Sequence, residues 1–85
     1  MISVLYFAWL RDLVGVAAEQ VEPPPEALAS VAALMLWLKQ RSPAHAAALA
    51  VPERVRCAVN QDYAGPETPV AAGDEVAFFP PVTGG

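Results

Sequence analysis

The chain has 85 residues, enough for one domain that buries about 60% of the surface its unfolded form exposes. Its net charge is −4 and its five basic residues, Arg11, Lys39, Arg41, Arg54 and Arg56, form no dense run, which argues against a nucleic-acid partner. The single Cys57 excludes an internal disulfide and suits a reducing cytoplasm, and no run approaches the ~20 apolar residues of a membrane span, so neither a secretory nor a membrane segment is expected.

Ile2 to Phe7 are mostly β-branched or aromatic with little polarity, which predicts a central strand buried on both faces. Around Leu10 to Val14 the apolar spacing lengthens to i, i+3, i+4, and Gly15 follows as a stop, so one or two helical turns are expected. Ala17 to Glu22 alternates weakly and is expected to return as an antiparallel edge strand, ended by Pro23-Pro24-Pro25.

Ser30 is a good N-cap, and Val31, Leu34, Met35 and Leu38 recur at helical spacing, so the main helix is expected to run from there to about Arg41. Pro24 or Pro25 is an alternative helix start. Ser42-Pro43 stops the helix, and Ala44 to Ala50 adds a short helical turn before Pro52. Trp37 lies on the helix side away from Val31, Leu34 and Leu38, facing that Ala44 to Ala50 segment.

Arg54 to Val59 alternates as a half-buried strand, with Val55, Cys57 and Val59 on one face. Asn60-Gln61-Asp62 is a turn, and Tyr63-Ala64 begins a short strand. The last strand follows the turn Gly73-Asp74, with Val76 and Phe78 on one face and Ala77 and Phe79 on the other. Pro80 and Pro81 cannot donate to a ladder, so the sheet stops there and the chain leaves it.

From Pro81 through Val82, Thr83, Gly84 and Gly85 an extended chain reaches roughly 17 Å at about 3.4 Å per residue, deep enough to enter a partner's active site. Gly84 and Gly85 have no Cβ and pass a slot that excludes other side chains. The expected division is a body over residues 1–80 and a flexible tail over 81–85.

The ending Gly73-Asp74-Glu75-Val76-Ala77-Phe78-Phe79-Pro80-Pro81-Val82-Thr83-Gly84-Gly85, with Ala58-Val59-Asn60-Gln61 and the opening Met1-Ile2-Ser3-Val4-Leu5-Tyr6-Phe7-Ala8, closely resembles the molybdopterin synthase small-subunit family of ubiquitin-like sulfur carriers. The order of strand, strand, helix, strand, short strand, strand agrees with the β-grasp fold of that family. It is an α+β arrangement in which a mixed sheet of about four to five strands packs on one main helix, with first and last strands parallel and adjacent at the centre.

The resemblance implies a chemistry as well. A terminal carboxylate is an anion at neutral pH and a poor electrophile, so it must be activated. In the family an adenylating, E1-like enzyme uses ATP to make an acyl-adenylate at the terminal glycine, and sulfur then replaces one oxygen to give a thiocarboxylate. The large catalytic subunit of the synthase receives the tail and passes the sulfur to a pterin precursor.

By that likeness Gly85 carries the sulfur, Gly84, Thr83, Val82 and Pro81 thread into the partner, and Phe79, Pro80 and Arg11 form the partner interface. The subunit is a non-catalytic donor. It binds no cofactor directly, because the chain has no phosphate-cradling glycine-rich loop and ATP must sit on the partner. Phe79 is expected beside the root of the tail, either as a docking anchor or under a covered outer face, and Arg11 either pairs with an acidic group or is solvated.

His45 has no Cys, His or carboxylate at ligand spacing, so no metal site is expected. Cys57, in mid-strand on the apolar face, is expected to be an inert core residue. The alternatives to molybdopterin are a ubiquitin-like protein modifier joined through Gly85 to lysines, or a carrier for another thio-product such as thiamine or thiolated tRNA.

Overall fold

The computed structural model describes residues 1–81; Val82, Thr83, Gly84 and Gly85, on which the sequence places the functional tail, lie outside the described residues. Five strands form one mixed sheet: β1 (Ile2–Tyr6), β2 (Ala18–Val21), β3 (Arg56–Val59), β4 (Asp62–Ala64) and β5 (Glu75–Phe79). Their order across the sheet is β2-β1-β5-β3-β4. β5 runs parallel to β1, pairing Tyr6 with Phe78, and antiparallel to β3, pairing Arg56 with Phe79.

The centre of the sheet is therefore β5, with β1 beside it. The expectation that β1 is buried on both faces is corrected: Ile2, Val4 and Tyr6 are buried, but Ser3 and Leu5 on the other face are only half-buried. All three helices lie on one side of the sheet or at its end, so they leave the second face partly open.

Helix α1 (Trp9–Val14) follows β1 and stops at Gly15, whose φ of +96° is the left-handed stop that a residue without a Cβ adopts freely; its N–H donates to the Arg11 carbonyl. β2 returns antiparallel along β1 as the expected edge strand. The triple proline leads into a 3-10 turn over Pro25–Leu28, so the alternative start at Pro25 describes a separate short element ahead of the main helix.

Helix α2 (Val31–Lys39) begins at Ser30, whose Oγ accepts from the Ala33 N–H at 3.0 Å. It ends at Lys39, two residues short of the expected Arg41, because the next residues turn into a second serine-capped helix, α3 (Pro43–Ala48). The sequence starts β3 at Arg54, but Pro52–Arg54 form a 3-10 turn and the strand begins at Arg56.

Val31, Leu34, Met35 and Leu38 pack into one core with Ile2, Val4, Tyr6, Val76 and Phe78, so the helical and strand periodicities meet on the same apolar layer. Two turns are clasped together below it. Asn60 and Gln61 have φ of 51° and 71°, which closes the tight β3–β4 hairpin, and the Asn60 side chain bonds both Asp74 and the Glu75 N–H at 3.0 Å. Asp74 also accepts from the Ala71 N–H at 2.8 Å; that bond and the one from Asn60 hold its carboxyl below the usual range.

Candidate functional site

The parallel pairing of β1 and β5 makes both strands end on the same side of the sheet. The Phe7 N–H reaches the Phe78 carbonyl at 3.1 Å, and the chain then passes through Phe79 to the half-buried Pro80 and Pro81. α1 starts at this same end, two residues after Phe7, and Arg11 within it is exposed. The structure thus gathers Phe79, Pro80, Pro81 and the helix of Arg11 at one end of the molecule.

The open face of the sheet explains what can meet a partner there. Leu5, Ala77, Ala58 and Tyr63 lie side by side across β1, β5, β3 and β4. The small central side chains make this row shallow and apolar, with Ser3 and Glu75 paired on the same face one step along. At its tail end stands the Phe79 ring, half-buried, with the Tyr63 ring 5.9 Å away and Tyr63 itself 83% exposed.

Arg56, Tyr63 and Phe79 bound a recess of about 330 Å³. Phe7, 48% exposed, continues the face beside Phe79 by the alternation of β1. Neither Tyr63 nor Phe7 is singled out by the sequence. The signal was present in the alternation of each strand, but only the register shows that both residues border Phe79.

Trp9, unassigned by sequence, is half-buried at the start of α1, with the Arg54 guanidinium 5.5 Å from its ring. Trp37 likewise carries Arg41 at 5.1 Å. Both tryptophans therefore close gaps under arginines while packing on the core.

A second cluster, which the sequence does not reveal, is buried on the helix side. Glu19 Oε2 accepts from the Tyr6 hydroxyl at 2.7 Å and lies 2.7 Å from His45 Nε2, with Arg41 at 3.8 Å from its other oxygen. With the His45 Nε2 proton turned to the carboxylate, Nδ1 accepts the Ser42 hydroxyl hydrogen at 2.7 Å, and the Ser42 oxygen accepts from the His45 N–H. His45, alone in the sequence, is thus tied on both ring nitrogens.

Burial acts to raise the Glu19 pKa, but the hydrogen bonds from His45 and Tyr6 and the charge of Arg41 outweigh it and hold the carboxyl below its usual range. Burial, then the Glu19 carboxylate, drives the Tyr6 hydroxyl far above its ordinary value. The cluster joins β1, β2 and α3 and is structural. Among the described residues no group of three or more His, Cys, Asp or Glu is placed to hold a metal ion, and no helix is long and apolar enough to cross a membrane.

Cys57 is 5% exposed, and burial pushes its thiol up to about 11, so it is protonated at neutral pH and a poor nucleophile. No reactive side chain is assembled among the described residues around the tail exit.

Known proteins resemble the chain in both sequence and fold. The molybdopterin synthase sulfur carrier subunit of Escherichia coli is 44% identical over the whole of both chains. A solved structure described as a putative molybdopterin converting factor, subunit 1, from Pyrococcus furiosus superposes with a TM-score of 0.77 at 32% identity, covering 95% of this chain and 97% of that one. The Haloferax volcanii small archaeal modifier protein 1 superposes with a TM-score of 0.74 at 27% identity over 95% of this chain and 97% of that one. The ThiS family profile matches residues 4–85, so this β-grasp chain belongs to the ThiS family.

Proposed function

We propose that the protein is the sulfur-carrier subunit of a molybdopterin synthase, with the sulfur held as a thiocarboxylate on Gly85. The observation that carries this reading is the full-length likeness to sulfur carrier subunits, joined to a sheet whose central strand runs out at Phe79-Pro80-Pro81 beside an open apolar face. An adenylating enzyme joins the Gly85 carboxylate to AMP from ATP, releasing pyrophosphate. A sulfur donor then displaces AMP.

Val82, Thr83, Gly84 and Gly85 carry the resulting thiocarboxylate into the large catalytic subunit, where sulfur passes to a pterin precursor. Phe79, Pro80 and Arg11 take the contacts at the tail root, with Tyr63 and Phe7 extending the docking face. The body supplies affinity and the tail supplies reach. Catalytic groups and ATP belong to the partners, and the work is placed in the cytoplasm.

A second reading is favoured by the likeness to the small archaeal modifier protein: attachment through Gly85 to lysines of other proteins. Both readings share the activation step, so the product separates them. Removal of Gly85 tests the common requirement. The shortened chain is expected to keep its melting temperature and lose all sulfur transfer in a reconstituted synthase; retained transfer contradicts the proposal.

A further inference from the structure

The chain carries −4 overall, yet its charges are sorted along the strands. At the end of the sheet remote from the tail, Asp62 starts β4, Asp74 and Glu75 lead into β5, and Glu22 follows β2. The turns that hold these carboxylates contain no Lys or Arg. Met1, whose carbonyl accepts from the Gly73 N–H at 2.8 Å, brings its α-amino group to that end.

The tail end has the opposite make-up. Arg56 pairs with Phe79, the last residue of β5, and bounds the recess that Tyr63 and Phe79 share. Its Nη1 donates to the Glu53 carbonyl at 3.4 Å, so the guanidinium leans past the start of β3. Arg54 lies over the ring of Trp9, two residues beyond Phe7, whose N–H donates to the Phe78 carbonyl. Arg54 is thereby tied to the end of β1 and Arg56 to the end of β5, the strand from which the tail leaves.

Both arginines are exposed, and among the described residues neither forms an ion pair with a carboxylate. Asp12, Glu53 and Glu67, the last folded over Gly65, temper this end, but Arg11 of α1 and Lys39 at the close of α2 stand against them. An exposed guanidinium without a partner adds little to the fold. Beside an apolar docking face it adds direction, because a surface with charges of one sign at each end turns in the field of its partner.

The sorting selects the sign of that partner. A basic surface would capture the carboxylates at the remote end and hold the tail away from its target. An acidic surface repels that end and draws in the end that bears Phe79 and the tail.

We propose that Arg54 and Arg56 form a cationic rim at the tail exit, which meets an acidic rim around the tail entry of the large synthase subunit and turns the encounter tail first. This rests on the sulfur-carrier reading and adds to it the charge of the receiving surface. Phe79 and its neighbours supply apolar contact once the two proteins touch, and the arginines set how often they touch in the right orientation.

Stopped-flow association of the full-length protein with the large subunit, in NaCl from about 0.02 to about 0.5 M, tests this. The association rate is expected to fall roughly tenfold across that range. The swap Arg56→Glu with Asp62→Arg keeps the net charge at −4 and moves it to the wrong end. It is expected to associate roughly tenfold more slowly at low salt, to approach the unaltered protein at high salt, and to change the dissociation rate much less. Arg54→Gln, which leaves a long side chain over Trp9, is expected to slow association about threefold.

Equal association rates for the swap and the unaltered protein overturn the inference, as does association that quickens when salt is added or a loss confined to dissociation. Where the swap lowers the melting temperature, the Arg54→Gln rate decides alone. Complex formation with rates indifferent to these changes leaves the sulfur-carrier reading standing, whereas no complex at all with the large subunit defeats that reading and the inference with it.

Discussion

At the scale of single residues, the two faces of the sheet give their side chains different work. Phe79 is half-buried on the open face, where its ring meets Tyr63 at 5.9 Å but leaves apolar area for a partner. Covering a ring of this kind contributes ~1.5–3 kcal/mol, so Phe79→Ala is expected to weaken binding to the synthase large subunit at least about tenfold, read by calorimetry, with no loss of folding. Glu19 does the opposite kind of work. Its carboxyl titrates below its usual range in the folded protein, so the stability it contributes is complete above the ordinary carboxylate pKa and drains away as pH falls through the lower, folded value. Glu19→Gln should therefore flatten the acid side of the stability profile while lowering stability at neutral pH, as urea unfolding at several pH values would record. Nothing in the sequence joins Glu19 to His45, 26 residues away, because their meeting depends on how α3, packed on α1 and α2, brings His45 to the edge strand β2.

At the scale of elements, local signals carried most of the fold. Ser30 and Ser42 both stand where an N-cap is needed, and in each case the hydroxyl accepts from the N–H three residues on. Ser30→Ala is expected to cost about 1 kcal/mol and to lower the melting temperature by roughly 4–8 °C in a domain of this size, which thermal unfolding by circular dichroism measures. The sequence was least readable where two signals overlapped. Alternation in Arg54 to Val59 suggests a strand throughout, yet Pro52 favours a turn start and carries Arg54 into a 3-10 turn before β3 begins. The uniform hydrophobicity of Ile2 to Phe7 suggests burial on both sides, but which face is covered depends on where three helices settle.

For the molecule as a whole, the mixed sheet determines what the protein can offer a partner. β5 at the centre is gripped on both sides, by β1 and β3, so the point where the chain leaves the sheet is fixed by two ladders. The Phe79-Pro80-Pro81 stop was legible in the sequence because proline chemistry is local, and the family resemblance added the role of Gly85. The breadth of the docking face was not, since Tyr63 and Phe7 come from strands that only the register brings beside Phe79. The central claim is that this body presents a sulfur atom on its last glycine. Intact mass spectrometry with fragmentation, after incubation with the adenylating enzyme, ATP and a sulfur donor, tests it most directly. The account predicts exchange of one oxygen for sulfur, located at Gly85; sulfur found on Cys57, or a terminus unchanged under conditions that modify a known sulfur carrier, contradicts it.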